Sequence, residues 1–414
     1  MTAGDALSPA GDAGARVSGP LNGVRVIAFE HAWAGPYGTM MLADMGADVV
    51  KVEPPGLGDH VRAWTRNDLG GLSPHFLSVN RNKRSIVLDL KNEEGLRLAR
   101  ELIAQANVVV ENFSPGTMDS LGLGYDAVRE IKPDIIFCSV SGFGGTGPYQ
   151  QRRAYDLLIQ AEGGLMSVTG GQDGSVAKVG APVVDIMAAM VAAFAVVSAV
   201  REQEQHGRGR HIDLSMLDVA ASVMAFNIFS YGISQEMPRP LGTAHPLLAP
   251  YEVFQTRTGP VAVAVLTEAH WATFCRVIER PDLQHRPEFA LAPMRVGNRE
   301  ALNHELRPVF AEWDQHELVD TLAAAGLACA QVNNVANLLD HPQLRERNFF
   351  TDWKFGEHNL VAPGAPWRMG AEPPPEPDTL PAIRPGMHAE SVLQDWCGIG
   401  DDGTEQLRES GALG

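Results

Sequence analysis

The chain has 414 residues and is acidic: 33 Lys and Arg against 50 Asp and Glu give a formal net charge of −17. That balance repels a polyanion and argues against a general nucleic-acid binder, although a local basic patch can still hold one phosphate-bearing ligand. Hydrophobic residues make up 45% of the chain, enough at this length for one large domain with a smaller one attached.

Residues 1–20 are rich in Ala, Gly, Ser and Pro and read as a disordered tail with no secretory h-region. From there the chain alternates strand and helix. VRVIAF (Val24–Phe29) predicts a strand, Gly38–Gly46 a helix, DVVKVE (Asp48–Glu53) a second strand and SIVLDL (Ser85–Leu90) a third. The amphipathic stretch NEEGLRLARELIAQA follows, then strands at Asn107–Phe113 and Asp134–Val140. Short apolar strands separated by helices imply an α/β fold with a doubly wound parallel sheet. Gly142–Gly180 reads as loop-rich, with GFGGTGP and TGGQDG. Ile186–Val200, fifteen residues without a charge, reads as a buried core helix, short of the ~20 residues that span a bilayer.

From about Met237 the texture changes. The expected division is a tail over 1–20, a large α/β domain over 21–236, a smaller α+β domain over 237–340, and a return to the large domain with an extended, Pro-rich tail over 341–414. Cys138, Cys275, Cys329 and Cys397 form no CxxC pair, which argues against a disulfide framework and a cysteine metal site. Free thiols in a reducing compartment are the plain reading, and the expectation is a cytoplasmic protein that neither spans nor binds a membrane.

The connection after the first strand, EHAWAGPYGTMML, lacks G-x-G-x-x-G, so nicotinamide and flavin chemistry are not expected. HExxH, G-x-S-x-G and a Walker sequence are also missing, and no metal site is expected. Asp185 follows a short apolar run and precedes the core helix, at or next to its N-cap. From position alone capping is the plainer reading; the alternative is an ionised carboxylate acting as a nucleophile on an acyl carbonyl. Arg62, Arg81, Lys83, Arg84 and Lys91 form a basic cluster around the third strand, either a solvated loop or a site for an anion. The glycine groups Ser141–Pro148 and Glu162–Gly174 offer backbone N–H groups to an oxyanion or simply make turns. His31 follows the first strand, where open α/β sheets place ligands. Glu268 and His270 read as a helix N-terminus.

Taken together, LNGVRVIAFEHAWAGPYGTMMLADMGADVVKVEPPGLGD, SVNRNKRSIVLDLK, VVVENFSPGTMDSLGLGY, SGFGGTGP, RRAYDLLIQAEGGLMSVTG, GAPVVD and GRGRHIDLSMLD resemble, in order and spacing, the class III CoA-transferases. The resemblance runs from about Pro20 to Met369. It implies a large parallel-sheet domain built from both ends of the chain, a smaller domain between, and a homodimer whose subunits interlock like chain links. It implies that Asp185 is the nucleophile. Coenzyme A thioester enters as substrate, with no permanently bound cofactor. The resemblance places CoA contacts at His31, Trp33 and Ala34, at Leu88, Asp89, Leu90 and Lys91, at Asn112 and Phe113, and at Arg153, Tyr155 and Asp156. Arg62, Arg81, Lys83 and Arg84 would add charge for the CoA phosphates, an expectation from charge alone.

The chain departs from the formyl-CoA branch, which carries arginines where Pro54 and Ser120 stand here and a glycine run where this chain reads GTAHPLLAPYEVF. It is more similar to the succinate–hydroxymethylglutarate branch, so a succinyl-CoA donor and a small dicarboxylic acceptor are expected. The related α-methylacyl-CoA racemases pair the aspartate with a histidine. Tyr155 occupies that place here, and an ordinary tyrosine, with a pKa of about 10, is a poor base near neutrality. Racemisation, and CoA binding without turnover, are the two rival readings.

Overall fold

The structure is a computed structural model that describes residues 17–64, 73–355, 358–369 and 380–414. Residues 1–16 of the expected tail lie outside it; Val17, from the other end of that tail, is buried. The first strands are β1 (Arg25–Phe29), β2 (Asp48–Glu53) and β3 (Lys83–Val87). They are followed by β4 (Val108–Glu111), β5 (Ile136–Ser141) and β6 (Arg210–Ser215). They form one sheet in the order β3-β2-β1-β4-β5-β6, with every neighbouring pair parallel. This is the doubly wound order, and its direction reverses between β1 and β4. Both faces are covered, which is why β1, β2 and β4 are near-continuous buried runs rather than alternating ones.

Helices α1 (Ala34–Asp44), α2 (Glu93–Gln105), α3 (Asp156–Glu162) and α4 (Val183–His206) pack around this sheet. α3 lies within the loop-rich stretch 142–180: Asp156 to Glu162 is helical, with Ile159 and Gln160 buried. α4 has 24 residues, longer than the fifteen-residue run within it, and is by length and composition long enough to cross a bilayer. Its Ala188, Ala189, Ala192 and Ala193 are buried, and its main partner is α1. The two approach closely because Gly38 lacks a side chain: a Cβ there would lie 3.0 Å from the Ala189 carbonyl oxygen. Beyond the sheet come α5 (Met216–Val223) and α6 (Ala225–Ser234).

The chain divides into two compact units. The first comprises 1–165, 179–233 and 345–414, and the second 166–178 and 234–344. The second holds an antiparallel sheet, β7 (Tyr251–Gln255), β8 (Pro260–Ala264) and β9 (Ala328–Gln331), packed with helices over a core of Phe254, Trp271, Phe274, Leu306 and Phe310. Glu268 opens the helix Glu268–Val277 and pairs at 2.8 Å with Arg295, which is fully buried. At the C-terminus, Ala389–Cys397 and Asp401–Glu409 are helices, and Val392, Leu393 and Trp396 join the core beneath β3 and α2. Of the extended tail expected at the C-terminus, residues 370–379 lie outside the described residues.

β2 carries charge into this apolar sheet. Lys51 and Glu53 are both 1% exposed, so each needs a partner. Lys51 Nζ meets Asp59 Oδ2 at 2.9 Å and donates to the Glu30 carbonyl. Glu53 receives a two-pronged pair from Arg62, both bonds 2.7 Å. Lys83 Nζ lies 2.8 Å from Glu30 Oε1 and also donates to Asn80 and the Pro36 carbonyl. Burial pushes Lys83 down to about 8 against the pull of Glu30. Burial also works against the charges of Lys51 and Glu53, yet the surrounding carboxylates hold Lys51 above its ordinary range. The Arg62 guanidinium likewise holds Glu53 below its own.

These contacts correct the charge-based expectation for the basic cluster. Arg62 and Lys83 belong to the buried network, Arg81 forks onto Asp44 at 3.0 and 2.5 Å, and Arg84 forks onto Asp48 and reaches Asp395. Each cation is matched to a carboxylate of the same unit and is not available to a phosphate. Only the folded sheet brings these partners together.

Arg62→Leu leaves Glu53 buried without its main partner, and the expected loss is about 3–5 kcal/mol of stability, read by urea denaturation. Arg62→Leu with Glu53→Leu recovers part of that loss, because both charges are then gone. Gly38→Val forces α1 from α4, with an expected loss of about 1–3 kcal/mol in the same assay.

Candidate active site

The end of β1 and the end of β4 open a cleft of about 650 Å³ where the strand order reverses, the place where open α/β sheets bind ligands. Asn112 joins the two strand ends. Its Oδ1 accepts from the His31 N–H and its Nδ2 donates to the His31 carbonyl, both at 2.9 Å. The His31 ring stacks on Phe113 with centroids 5.5 Å apart and meets His60 edge-on at 5.2 Å. Burial lowers its pKa, outweighing the attraction of Asp59, so the ring is neutral at pH 7.

Of the residues expected at a CoA site, His31, Leu88, Asp89, Leu90, Lys91 and Phe113 line this cleft. Pro54 and Ser120, the two places where arginines are absent, line it too. Lys91 is the only lysine or arginine among the described residues that line it, and the side chain is exposed. Asn112 does not line the cleft, and both ends of its amide hold His31. Trp33 and Ala34 lie beside the cleft rather than in its wall: Ala34 is the buried first residue of α1, and Trp33 precedes it, stacked on Tyr37 at 6.3 Å. The backbone turn that sets them there passes through Ala32 at φ 61°.

Asp185 is the third residue of α4 and does not line this cleft. The expectation of a capping, ionised carboxylate is corrected here. The cap is Asp156, at the start of α3: its Oδ1 accepts from the N–H groups of Val184 and Asp185 at 2.9 and 3.4 Å. Its Oδ2 takes the Gln160 amide at 2.6 Å, and Gln160 in turn accepts from the Val179 N–H. Asp185 has no hydrogen-bond donor to its carboxylate among the described residues. Burial first, and then the Asp156 charge, raises its pKa to about 7. Desolvation and a like charge outweigh the helix dipole. Next to Asp156, Tyr155 is 59% exposed, and Arg153 is exposed as well. Asp185 is therefore a partly shielded carboxylate, near its own pKa at neutrality.

Several of the glycine N–H groups expected to serve as oxyanion donors are engaged within the protein. The N–H groups of Gly163, Gly164 and Gly171 bond to the carbonyls of Ile159, Ala161 and Ser175, and Gly145 binds Asp213. Sequence reasoning missed the role of Asp156 toward α4, since its partners lie 28 and 29 residues along the chain. It also missed Glu111 at the end of β4, which burial raises to about 7. A charged residue closing an otherwise apolar strand was the available signal.

Comparison with known proteins adds to this geometry. Residues 21–388 match CoA-transferase family III. A succinyl-CoA:mesaconate CoA-transferase of Haloarcula hispanica is 37% identical over 92% of this chain and 97% of its own length. The human succinyl-CoA:glutarate CoA-transferase is 32% identical over 95% of this chain and 90% of its own. The crystal structure of a CAIB/BAIF family protein from Brucella suis superposes with a TM-score of 0.82 at 33% identity, covering 91% of this chain and 99% of that one. The order of the sheet, the cleft at its reversal and a carboxylate at the head of α4 thus occur in a chain that belongs to the class III CoA-transferases, and it is a CoA-transferase.

Proposed function

We propose that the protein moves CoA from a succinyl-CoA-type donor to a small dicarboxylic acid, with Asp185 as the nucleophile. The observation that carries the catalytic part is the state of Asp185: shielded, without a hydrogen-bond donor, and raised to about 7. A poorly solvated carboxylate is a better nucleophile than a fully hydrated one. The dicarboxylate part rests on the relatives that act on mesaconate and glutarate, and on Pro54 and Ser120, which separate the cleft from the formyl-CoA branch.

In this mechanism an Asp185 oxygen attacks the thioester carbonyl, the C–S bond breaks, and CoA leaves as thiolate. The product is an aspartyl–acyl anhydride. The acceptor carboxylate displaces Asp185 from it, and the thiolate attacks the acceptor carbonyl, expelling the donor acid and forming the new thioester. The cleft of His31, Leu88, Lys91 and Phe113 holds CoA, with Lys91, the only lysine or arginine among its described residues, for a phosphate. The enzyme works as an interlocked homodimer in the cytoplasm, where free thiols such as Cys138 and Cys275 persist. The dimer is supported by α6, none of whose residues is buried within one chain, with Phe229 72% and Ile233 85% exposed.

Asp185→Asn abolishes transfer. Hydroxylamine added with succinyl-CoA converts Asp185 to a hydroxamate, seen by peptide mass spectrometry, and normal turnover in the variant would sink the mechanism. Because the carboxylate is the reactive form, kcat/KM for the donor falls about tenfold per pH unit below about 7 and levels off above it. Lys91→Ala raises KM for the donor by roughly tenfold, the scale of one charge-assisted hydrogen bond, and leaves kcat nearly unchanged. An acceptor screen with succinyl-CoA and a panel of carboxylic acids, read by mass, identifies the second substrate.

A further inference from the structure

Asp156 falls among the residues that the family resemblance places against CoA, but its contacts in the structure point elsewhere. It is 8% exposed. Both carboxylate oxygens are engaged inside the protein, one by the N–H groups of Val184 and Asp185 and the other by Gln160. Gln160 is fully buried and holds the Val179 N–H, so the pair of side chains fixes both the segment leading into α4 and its first turn. The free N–H groups of a first turn are normally taken by the N-cap side chain, but the N-cap of α4 is Pro182, whose side chain has no acceptor to offer. Here Asp156 occupies two of them, and the Asp185 carboxylate is left without a donor.

We infer that Asp156 is the positioning residue of the reaction: it clamps the first turn of α4 through the Val184 and Asp185 amides and so holds the Asp185 carboxylate toward the acyl carbonyl. This rests on the reading of Asp185 as nucleophile. The negative charge of Asp156 acts in the same direction, because a neighbouring anion disfavours ionisation and so makes the carboxylate more basic. Charged groups also lie on the other elements packed on α4: Asp44 on α1, Glu162 on α3, Asp218 on α5, and Arg210 and Asp213 on β6. Tyr37 and His211, with Cys138 on β5, which also packs on α4, complete the titratable set, and none of these groups contributes to the shift of Asp185, which burial and Asp156 account for. Asp156 therefore sets position and basicity together without touching substrate.

The test is the pH profile of the full-length enzyme with succinyl-CoA and an acceptor that it uses. Asp156→Asn keeps an acceptor oxygen for the two amides and removes the charge. The expected result is an acid limb of kcat/KM displaced to lower pH, a kcat reduced by about tenfold or more, and a KM for succinyl-CoA changed by less than about threefold; a loss on that scale follows from a nucleophile misplaced or made less basic. Asp156→Ala, which also removes the clamp, lowers kcat by roughly 10²-fold. If the Asn variant does not fold, Asp156→Ser supplies a neutral acceptor in its place. An unmoved acid limb in the folded neutral variant, or a raised KM with kcat intact, overturns the inference and returns Asp156 to a CoA contact. These outcomes are separable from failure of the underlying reading. In that case Asp185→Asn would still turn over and no hydroxamate would form at Asp185, whatever Asp156 does.

Discussion

The carboxyl edge of the sheet depends on charges being matched where water cannot reach them. Glu30, Lys51, Glu53, Asp59, Arg62 and Lys83 are each at most 8% exposed and lie just after β1, on β2 and β3, and in the connection after β2. A lone buried charge costs several kcal/mol, so no member can be dropped without orphaning another. Such a network adds less to net stability than an apolar core of equal volume would. Its consequence is geometric: β1, β2 and β3 are tied to the segment Asp59–Arg62 by directional bonds, and that segment with the strand ends forms one wall of the cleft. The cleft is preformed because its wall is an ion lattice rather than a loop held by weak contacts.

The opposite wall is set by a neutral device. Asn112 uses both ends of its amide on the backbone of one residue, His31, and so fixes the ends of β1 and β4 relative to one another. The stack of His31 on Phe113 follows from that spacing. With the His31 ring neutral and the buried acids matched, Lys91 carries the only lysine or arginine charge that the described residues of the cleft offer to a ligand. Selectivity for a multiply charged thioester then falls on one flexible side chain and on shape.

Two aspartates show how environment divides one chemical group into two roles. Asp156 is wrapped by donors and serves the fold; Asp185 is shielded without donors and is raised to about 7. The N-terminus of a helix favours an anion, but that preference is worth about 0.3–1 kcal/mol at an exposed end, and the amides concerned are already occupied by Asp156. Burial and the neighbouring charge therefore decide the titration of Asp185.

Periodicity in the sequence was sufficient for the parallel α/β sheet, since alternating strand and helix leaves few arrangements. The motif order was sufficient for the family and for the place of Asp185 at the head of α4. Strand bounds shifted by a few residues, as β3 did from Ser85–Leu90 to Lys83–Val87, because a ladder ends where pairing ends and not where apolarity does. The basic cluster was legible as charge but not as pairing. Arg62 meets Glu53 nine residues away, Arg81 meets Asp44 at 37 and Lys83 meets Glu30 at 53, and the sequence carries no sign of which carboxylate each will face. Asp156 likewise read as a ligand contact until α3 and α4 were seen together. Local pattern depends on backbone geometry, which neighbours in the chain determine. Pairing and proton affinity depend on what excludes water, and that exists only after the tertiary structure has closed.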